Sequence, residues 1–315
     1  MTTASRPRRS CLTVPGSSER FLGKAAGLPA DEVILDLEDS VAPAAKDQAR
    51  AAVAGAITGT DWGGRVLAVR VNDAGSRWAY RDVVDLVEAA GSRLDAIVLP
   101  KVTAPGQVIW LDVLLGQLEQ ATGLPDRRIA IEAQIEDAAG LAAVDEIAAA
   151  SGRLAALIFG PADFMASVGM RSLRIGARPD GYPGDAFHYP LMRILVAARA
   201  AGLQAIDGPY AAIADAEGLA TAAISAAALG YDGKWVVHPG QIEPVNSAFS
   251  PGQQEYDRAE LIIDAYQHAT SALGSGAVLM DGEMIDAASQ KLALVVAARG
   301  RAAGMVRTRR FVPDA

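Results

Sequence analysis

Eight short apolar runs, spaced evenly between Leu12 and Val237, each close on a polar or glycine-containing turn. They fall at residues 11–14, 32–38, 65–71, 96–102, 129–136, 156–163, 202–207 and 234–238. Continuous apolar runs of this length are the mark of strands buried on both faces, as in a parallel sheet. Between them lie stretches rich in Ala, Leu, Glu and Arg, such as residues 44–57, 138–150 and 191–201, which favour helix. Strand alternating with helix demands right-handed crossovers. Eight such units predict a closed (β/α)8 TIM barrel rather than an open sheet. In that fold chemistry sits at the carboxyl ends of the strands.

Two segments fall outside the repeat. Residues 171–188, rich in Gly, Pro and Arg, predict a long loop after the sixth strand. After Phe249, a helix is expected from Ser250-Pro-Gly through Tyr266, a small-residue hinge at 271–276, a short apolar passage at 278–285 and a final helix at 289–303. The expected division is a barrel over 1–249 and a C-terminal helical appendage or lid over 250–315.

With 51% hydrophobic residues in 315, the chain can bury one large core, or a barrel plus an appendage. The formal net charge of -8, with no long run of one sign, argues against a nucleic-acid partner. Arg6, Arg8 and Arg9 form a basic cluster near the start, read as a solvated N-terminal arm. The single cysteine, Cys11, allows no intrachain disulfide and reads as a small core residue. No secretory stretch and no apolar run of about 18 residues is present. A cytoplasmic protein without a membrane span is the expectation.

Chemistry concentrates at the predicted strand ends. The fifth run closes on Glu136 and the sixth on Asp163. Two hard oxygen ligands on adjacent strands suit magnesium, which takes one or two protein carboxylates and leaves other positions to water and substrate. Glu136 also suits the first turn of a following helix. In Asp36-Leu-Glu38-Asp39, alternation points Asp36 and Glu38 the same way. Carboxylates converging on one mouth repel unless a cation is present. They are read as partners of metal-bound water around the site, and Asp39 also as a cap of the next helix. Arg70 lies within an apolar strand, where an unpaired charge is expensive. It would grip a carboxylate, stabilise an enolate oxygen, or pair with a barrel acid. Lys101 follows Leu99-Pro100. A Schiff-base role is open there, though nearby acids would keep it protonated. After Pro15-Gly16, Arg20 and Lys24 share one helical face that would suit phosphates. His238 closes the eighth strand and would orient a loop or contact ligand. His188 and His268 read as loop and helix residues.

These motifs, taken in order, resemble the HpcH/HpaI aldolase superfamily, in its citrate lyase β-subunit-like branch, which includes malyl-CoA and citramalyl-CoA lyases. The likeness rests on Val14-Pro-Gly-Ser, Asp36-Leu-Glu-Asp-Ser-Val41, Arg70-Val-Asn72, Leu99-Pro-Lys101 and Ile135-Glu-Asp-Ala-Ala-Gly140. It continues through Phe159-Gly-Pro-Ala-Asp163, Ala205-Ile-Asp-Gly-Pro209, Gly233-Lys-Trp-Val-Val-His-Pro239 and Asp281-Gly-Glu-Met-Ile-Asp286. It implies magnesium, or manganese in its place, on Glu136 and Asp163, with Glu136 also facing substrate. It implies Arg70 on the substrate carboxylate or thioester enolate, and Asp286 as the proton carrier. Arg20 and Lys24 would face the phosphates of coenzyme A. The tail would cover a neighbouring barrel in a homo-oligomer, a trimer or hexamer. The implied reaction is reversible cleavage of a 3-hydroxyacyl-CoA, such as citramalyl-CoA or malyl-CoA, into acetyl-CoA and pyruvate or glyoxylate. Three alternatives stand beside it: a citrate lyase β-subunit acting on a carrier-protein thioester, a malyl- or citramalyl-CoA thioesterase or synthase, and an inactive ligand-binding barrel. Ala288, Ala162 and Glu283 depart from the family pattern, where proline, an acid and lysine are common.

Overall fold

The computed structural model of the chain describes residues 6–179 and 181–312. The outer ends of the two expected domains, and position 180 of the expected loop, lie outside them. The described chain divides into a unit spanning Arg8–Asn246 and a second made of residues 247–312 with Arg6 and Pro7.

In the first unit every apolar run becomes a strand. The order is β1 (Ser10–Pro15), α1 (Glu19–Ala25), β2 (Glu32–Asp36), α2 (Lys46–Gly59), β3 (Val66–Arg70) and α3 (Ala79–Ala90). It continues with β4 (Ala96–Leu99), α4 (Pro105–Thr122), β5 (Ala130–Ile135), α5 (Ala138–Ala142), α6 (Val144–Ala148) and β6 (Leu154–Phe159). Then come α7 (Pro161–Ser167), α8 (His188–Ala200), β7 (Gln204–Asp207), α9 (Ala216–Leu229), β8 (Gly233–Val236) and α10 (Ile242–Ala248), the last crossing the division between the units. The eight strands close into one barrel, and β8 pairs back onto β1. All neighbouring pairs are parallel. The long loop at 171–188 is present, with its last residue opening α8.

Alternation sorts the side chains. Cys11, Ile34, Ala68, Ala96, Val98, Ala156, Ile158, Ile206 and Trp235 pack together inside the barrel. Each fully buried Val or Ile side chain there contributes about 1.5–3 kcal/mol. Cys11 is thus a core residue, as expected. The helix expected over 138–150 is instead two, α5 and α6, meeting at Ala143 with φ -97° and ψ 12°. Nothing in the local sequence explains the break. Asp137 caps α5 by accepting from the Ala139 N–H at 2.7 Å.

The reading of Arg6, Arg8 and Arg9 as a solvated arm is corrected for two of the three. Arg8 is 7% exposed and lies 2.9 Å from Glu132 and 3.2 Å from Glu32. Arg9 grips Asp31 with Nε at 2.7 Å and Nη2 at 2.9 Å. Glu32 and Glu132 face into the barrel from strands whose acids are spaced 100 residues apart, so no local pattern could pair them with Arg8.

In the second unit, α11 (Gln253–Ala272) and α12 (Ala287–Ala302) pack through Tyr256, Ala259, Ala293 and Ala297. Gly300 is required there, because a Cβ would lie 2.2 Å from the Tyr256 ring. The apolar passage after α11 is an antiparallel hairpin of β9 (Val278–Met280) and β10 (Glu283–Ile285). Arg258 ties it to α11 through Glu283 at 2.7 Å.

Candidate active site

Five consecutive strands deliver charged groups to the carboxyl mouth of the barrel. Asp36 ends β2 and Arg70 ends β3, and the two are register partners. Each continues the inward face of its strand, two residues beyond Ile34 and Ala68. Arg70 therefore meets Asp36 in a two-pronged grip, Nε to Oδ1 at 2.7 Å and Nη2 to Oδ2 at 2.8 Å. Its Nη1 lies 3.1 Å from Glu38, and its guanidinium stands 5.3 Å over the Trp235 ring. Asp36 also accepts from the Glu38 N–H at 3.0 Å and the Ser40 hydroxyl at 2.5 Å. Burial pushes the Asp36 carboxyl up, but Arg70 and these donors outweigh it and hold the carboxyl below its ordinary value. Of the readings offered for Arg70, the pairing with a barrel acid is what the geometry displays. The same guanidinium faces the barrel mouth.

Lys101 stands two residues past β4 at φ +52°, a left-handed conformation that is strained for a residue with a Cβ. Its contacts account for the strain. Its backbone N–H donates to Glu136 Oε1 at 2.7 Å. Its ammonium bonds Glu38 and lies 3.3 Å from Asp39 and 3.8 Å from Asp163. Burial lowers the ammonium pKa, but the surrounding carboxylates, Glu38 first, raise it well above the ordinary lysine value. A neutral amine is needed for Schiff-base chemistry, so that reading of Lys101 falls. Asp39 faces Lys101 and caps no helix, because the next helical turn starts after Ala42. Asp36, Glu38 and Asp39 thus serve as counter-charges to Arg70 and Lys101.

Glu136 is the residue after β5 and is 3% exposed. The helix-capping alternative fails, since Asp137 holds that position. Glu136 Oε2 accepts from Gln134 Nε2 at 2.7 Å. Burial, with smaller contributions from the negative charges of Glu38 and Asp163, pushes its carboxyl up to about 8, against the opposing Lys101 N–H and Arg70. Asp163 is corrected in place: β6 stops at Phe159, and Gly160-Pro161 turns the chain into α7, whose first turn carries Asp163. Its side chain is 44% exposed.

Among the described residues, no three His, Cys, Asp or Glu side chains are grouped to hold a metal ion. Of the two expected ligands, Glu136 is enclosed and Asp163 is open to solvent. Five acids here, Asp36, Glu38, Asp39, Glu136 and Asp163, face three side-chain cations, Arg70, Lys101 and the buried Lys46. That surplus of negative charge, and a buried carboxyl that resists ionisation, fit a hard dication on Glu136 and Asp163. 

Arg20 and Lys24 are both exposed on α1, and Arg20 lies 4.7 Å over the Phe21 ring. His238 Nδ1 accepts from the Gly240 N–H at 3.1 Å, which fixes the turn after β8. His188 opens α8 and His268 lies in α11. Asp286 belongs to the C-terminal unit. It caps α12, with Oδ1 accepting from the N–H groups of Ala288 at 2.9 Å and Ser289 at 3.0 Å. The Ser289 N–H and hydroxyl, with the Ala288 N–H, hold its carboxyl below the ordinary value. Proline at position 288 could not make the Ala288 bond.

Four participants carry roles that only the structure assigns. Gln134 holds Glu136, and its signal was a polar side chain two residues before Glu136 on the same inward face. Ser40 bonds Asp36. Lys46 is buried and donates to the carbonyls of Leu37 at 2.8 Å and Glu38 at 2.7 Å, which shapes the turn carrying Glu38. Gly160 leaves room for Glu136, since a Cβ there would lie 2.3 Å from Oε2.

A family model for the HpcH/HpaI aldolase/citrate lyase family matches residues 9–239. The L-malyl-CoA/beta-methylmalyl-CoA lyase of Cereibacter sphaeroides is 42% identical over 301 residues, which cover 93% of this chain and 94% of that one. The (3S)-malyl-CoA thioesterase of the same species is 36% identical over 286 residues, covering 91% and 92%. The crystal structure of protein CitE from Mycobacterium tuberculosis in complex with magnesium, acetoacetate and coenzyme A superposes with a TM-score of 0.74. It is 30% identical, with 95% of this chain and 100% of that chain covered. No helix among the described residues is long and apolar enough to cross a membrane. Barrel, carboxylate mouth and likeness agree that the chain belongs to the HpcH/HpaI aldolase/citrate lyase family.

Proposed function

We propose that the chain is a carbon-carbon lyase acting on the CoA thioester of a 3-hydroxy acid, with malyl-CoA, β-methylmalyl-CoA and citramalyl-CoA as the candidate substrates. The observation that carries this reading is the buried Glu136 beside the half-exposed Asp163 at the barrel mouth, with Arg70 facing the same mouth. Magnesium held by Glu136 and Asp163 would supply Lewis acidity toward the oxygen of the oxo acid or its hydroxy-acid adduct. Glu136, so placed, also faces substrate.

The residues divide the remaining work. In cleavage the 3-hydroxyl gives up its proton to solvent and that carbon becomes the carbonyl of the 2-oxo acid. The electrons of the broken carbon-carbon bond pass to the thioester as its enolate. The Arg70 guanidinium, held rigid by Asp36 and stacked on Trp235, supplies positive charge for the enolate oxygen. Protonation of the enolate carbon then yields the acyl-CoA. Asp286 is the proton carrier. Its lowered pKa favours the carboxylate, which takes a proton from the acyl-CoA in condensation; in cleavage the carboxyl, protonated from solvent, gives that proton to the enolate carbon and is reloaded from solvent after each turnover. We assign its delivery to the C-terminal unit of a second copy in a homo-oligomer, a trimer or hexamer. Arg20 and Lys24, exposed and one helical turn apart, would meet the phosphates of coenzyme A. The cytoplasm, where such thioesters are handled, is the proposed compartment.

The test offers malyl-, β-methylmalyl- and citramalyl-CoA to purified protein, with Mg2+ and then with EDTA, and identifies products by mass spectrometry. Glyoxylate or pyruvate appearing with an acyl-CoA, and lost on chelation, is the expected result. Absence of carbon-carbon cleavage from all three removes the reading. Thioester hydrolysis is a second reading, favoured by the 36% likeness to the malyl-CoA thioesterase. It would show as free hydroxy acid and coenzyme A without oxo acid.

A further inference from the structure

Glu136 is held from three directions. The Lys101 backbone N–H donates to Oε1 at 2.7 Å, and Gln134 Nε2 donates to Oε2 at 2.7 Å. On the third side is Gly160, where a Cβ would lie 2.3 Å from Oε2 and 2.4 Å from the Glu136 Cβ. The first restraint is backbone and the third is an absent side chain. Gln134 is therefore the side-chain group through which the carboxylate is oriented.

Gln134 is itself enclosed, at 4% exposure, and its Oε1 is buried without a hydrogen-bond partner. An unmatched buried carbonyl costs on the order of 1–3 kcal/mol. A residue kept only to fill the barrel would be served better by leucine or methionine, which leave no orphan acceptor. The amide is thus explained by what each end contacts. The Nε2 end holds Glu136. The Oε1 end calls for an O–H or N–H donor, and water in the hydration shell of a cation is one.

We infer that Gln134 is a positioning residue for the cation site: it aims the Glu136 carboxylate and accepts a hydrogen bond from the shell around the bound ion. This rests on the proposed placement of Mg2+ at Glu136 and Asp163. It goes beyond that placement by giving ion affinity to a residue that does not ligate. Partners one shell out from a metal typically change affinity by about 10–100-fold when removed.

The experiment is calorimetric titration of the purified full-length chain with MgCl2, without substrate. Gln134→Met keeps the volume and removes both ends of the amide. Gln134→Asn keeps an amide one methylene too short to reach Glu136, and serves if the methionine variant does not fold. Each is expected to bind Mg2+ about 10–100-fold more weakly than wild type. The Mg2+ concentration for half-maximal activity should rise by the same factor, while KM for the acyl-CoA at saturating Mg2+ stays within about twofold, as expected when only the ion's shell is perturbed. Wild-type Mg2+ affinity in a folded variant overturns the inference and leaves the cation site standing. A wild-type chain that takes up no Mg2+ overturns the cation reading, and this inference with it.

Discussion

Asp286 shows how one side chain carries two duties that can be separated. It caps α12, and it is the proposed proton carrier. Asparagine caps helices about as well as aspartate but cannot carry a proton at this pH. Asp286→Asn should therefore keep the melting temperature near wild type while turnover falls by about 10²–10⁴-fold. Turnover within twofold of wild type would remove the carrier role. Arg70 is different, because its two duties are inseparable. Arg70→Lys keeps the charge but loses the planar fork on Asp36, so both kcat and stability should fall. Arg70→Met goes further and leaves Asp36 buried and unpaired, which costs about 3–5 kcal/mol. Chemical denaturation of the two variants, set beside their kinetics, checks this. A fully stable Arg70→Met chain would mean that Asp36 finds another partner.

The turn from β6 into α7 decides the geometry of the site. Gly160 has φ -106°, which any residue adopts, so its lack of a side chain is needed for space and not for backbone freedom. Gly160→Ala forces the Glu136 side chain aside or shifts the strand end, at about 1–3 kcal/mol. The variant should fold, melt lower and lose Mg2+ affinity in calorimetry. Unchanged affinity would place the ion elsewhere. The same turn moves Asp163 from a strand end to the first turn of a helix, exposed enough to leave room beside it for water and substrate. Lys101 makes the companion bend after β4, and its strained backbone is offset by bonds to acids from β2 and β5.

Across the barrel as a unit, charge is buried at both ends. The far end holds Arg8 with Glu32 and Glu132, and Cys11 lies against them. Burial, then the neighbouring Glu132, pushes the Glu32 carboxyl up to about 8, with Arg8 opposing. A raised carboxyl pKa means that the folded chain binds a proton the unfolded chain has released. Its contribution to stability is full below about 4.5, the ordinary value, and is lost as pH rises through about 8. Melting temperature measured from pH 5 to 9 should fall across that window. Glu32→Gln, a neutral isostere, should make the fall shallower, the remainder belonging to Glu136, whose carboxyl is raised over the same window; an equally steep profile in the variant would remove Glu32's share.

Chain order alone carried the barrel, because strand and helix periods are local properties and eight repeats leave few ways to close. The inward direction of Asp36, Arg70 and Glu136 could be counted from the same period of two. Pairings across the barrel could not be counted that way. Whether Arg70 met Asp36, whether Lys101 bent back onto Glu38, and whether Arg8 lay in solvent or beneath two buried glutamates depended on strand register and closure. Those come from packing between segments far apart in the chain. Lys46 was hidden for the same reason: hydrogen bonds to two carbonyls of a turn leave no periodic trace in the helix that makes them. Gln134 stands where the period of two puts it, two residues before Glu136, and only the fold shows its amide turned onto that carboxylate.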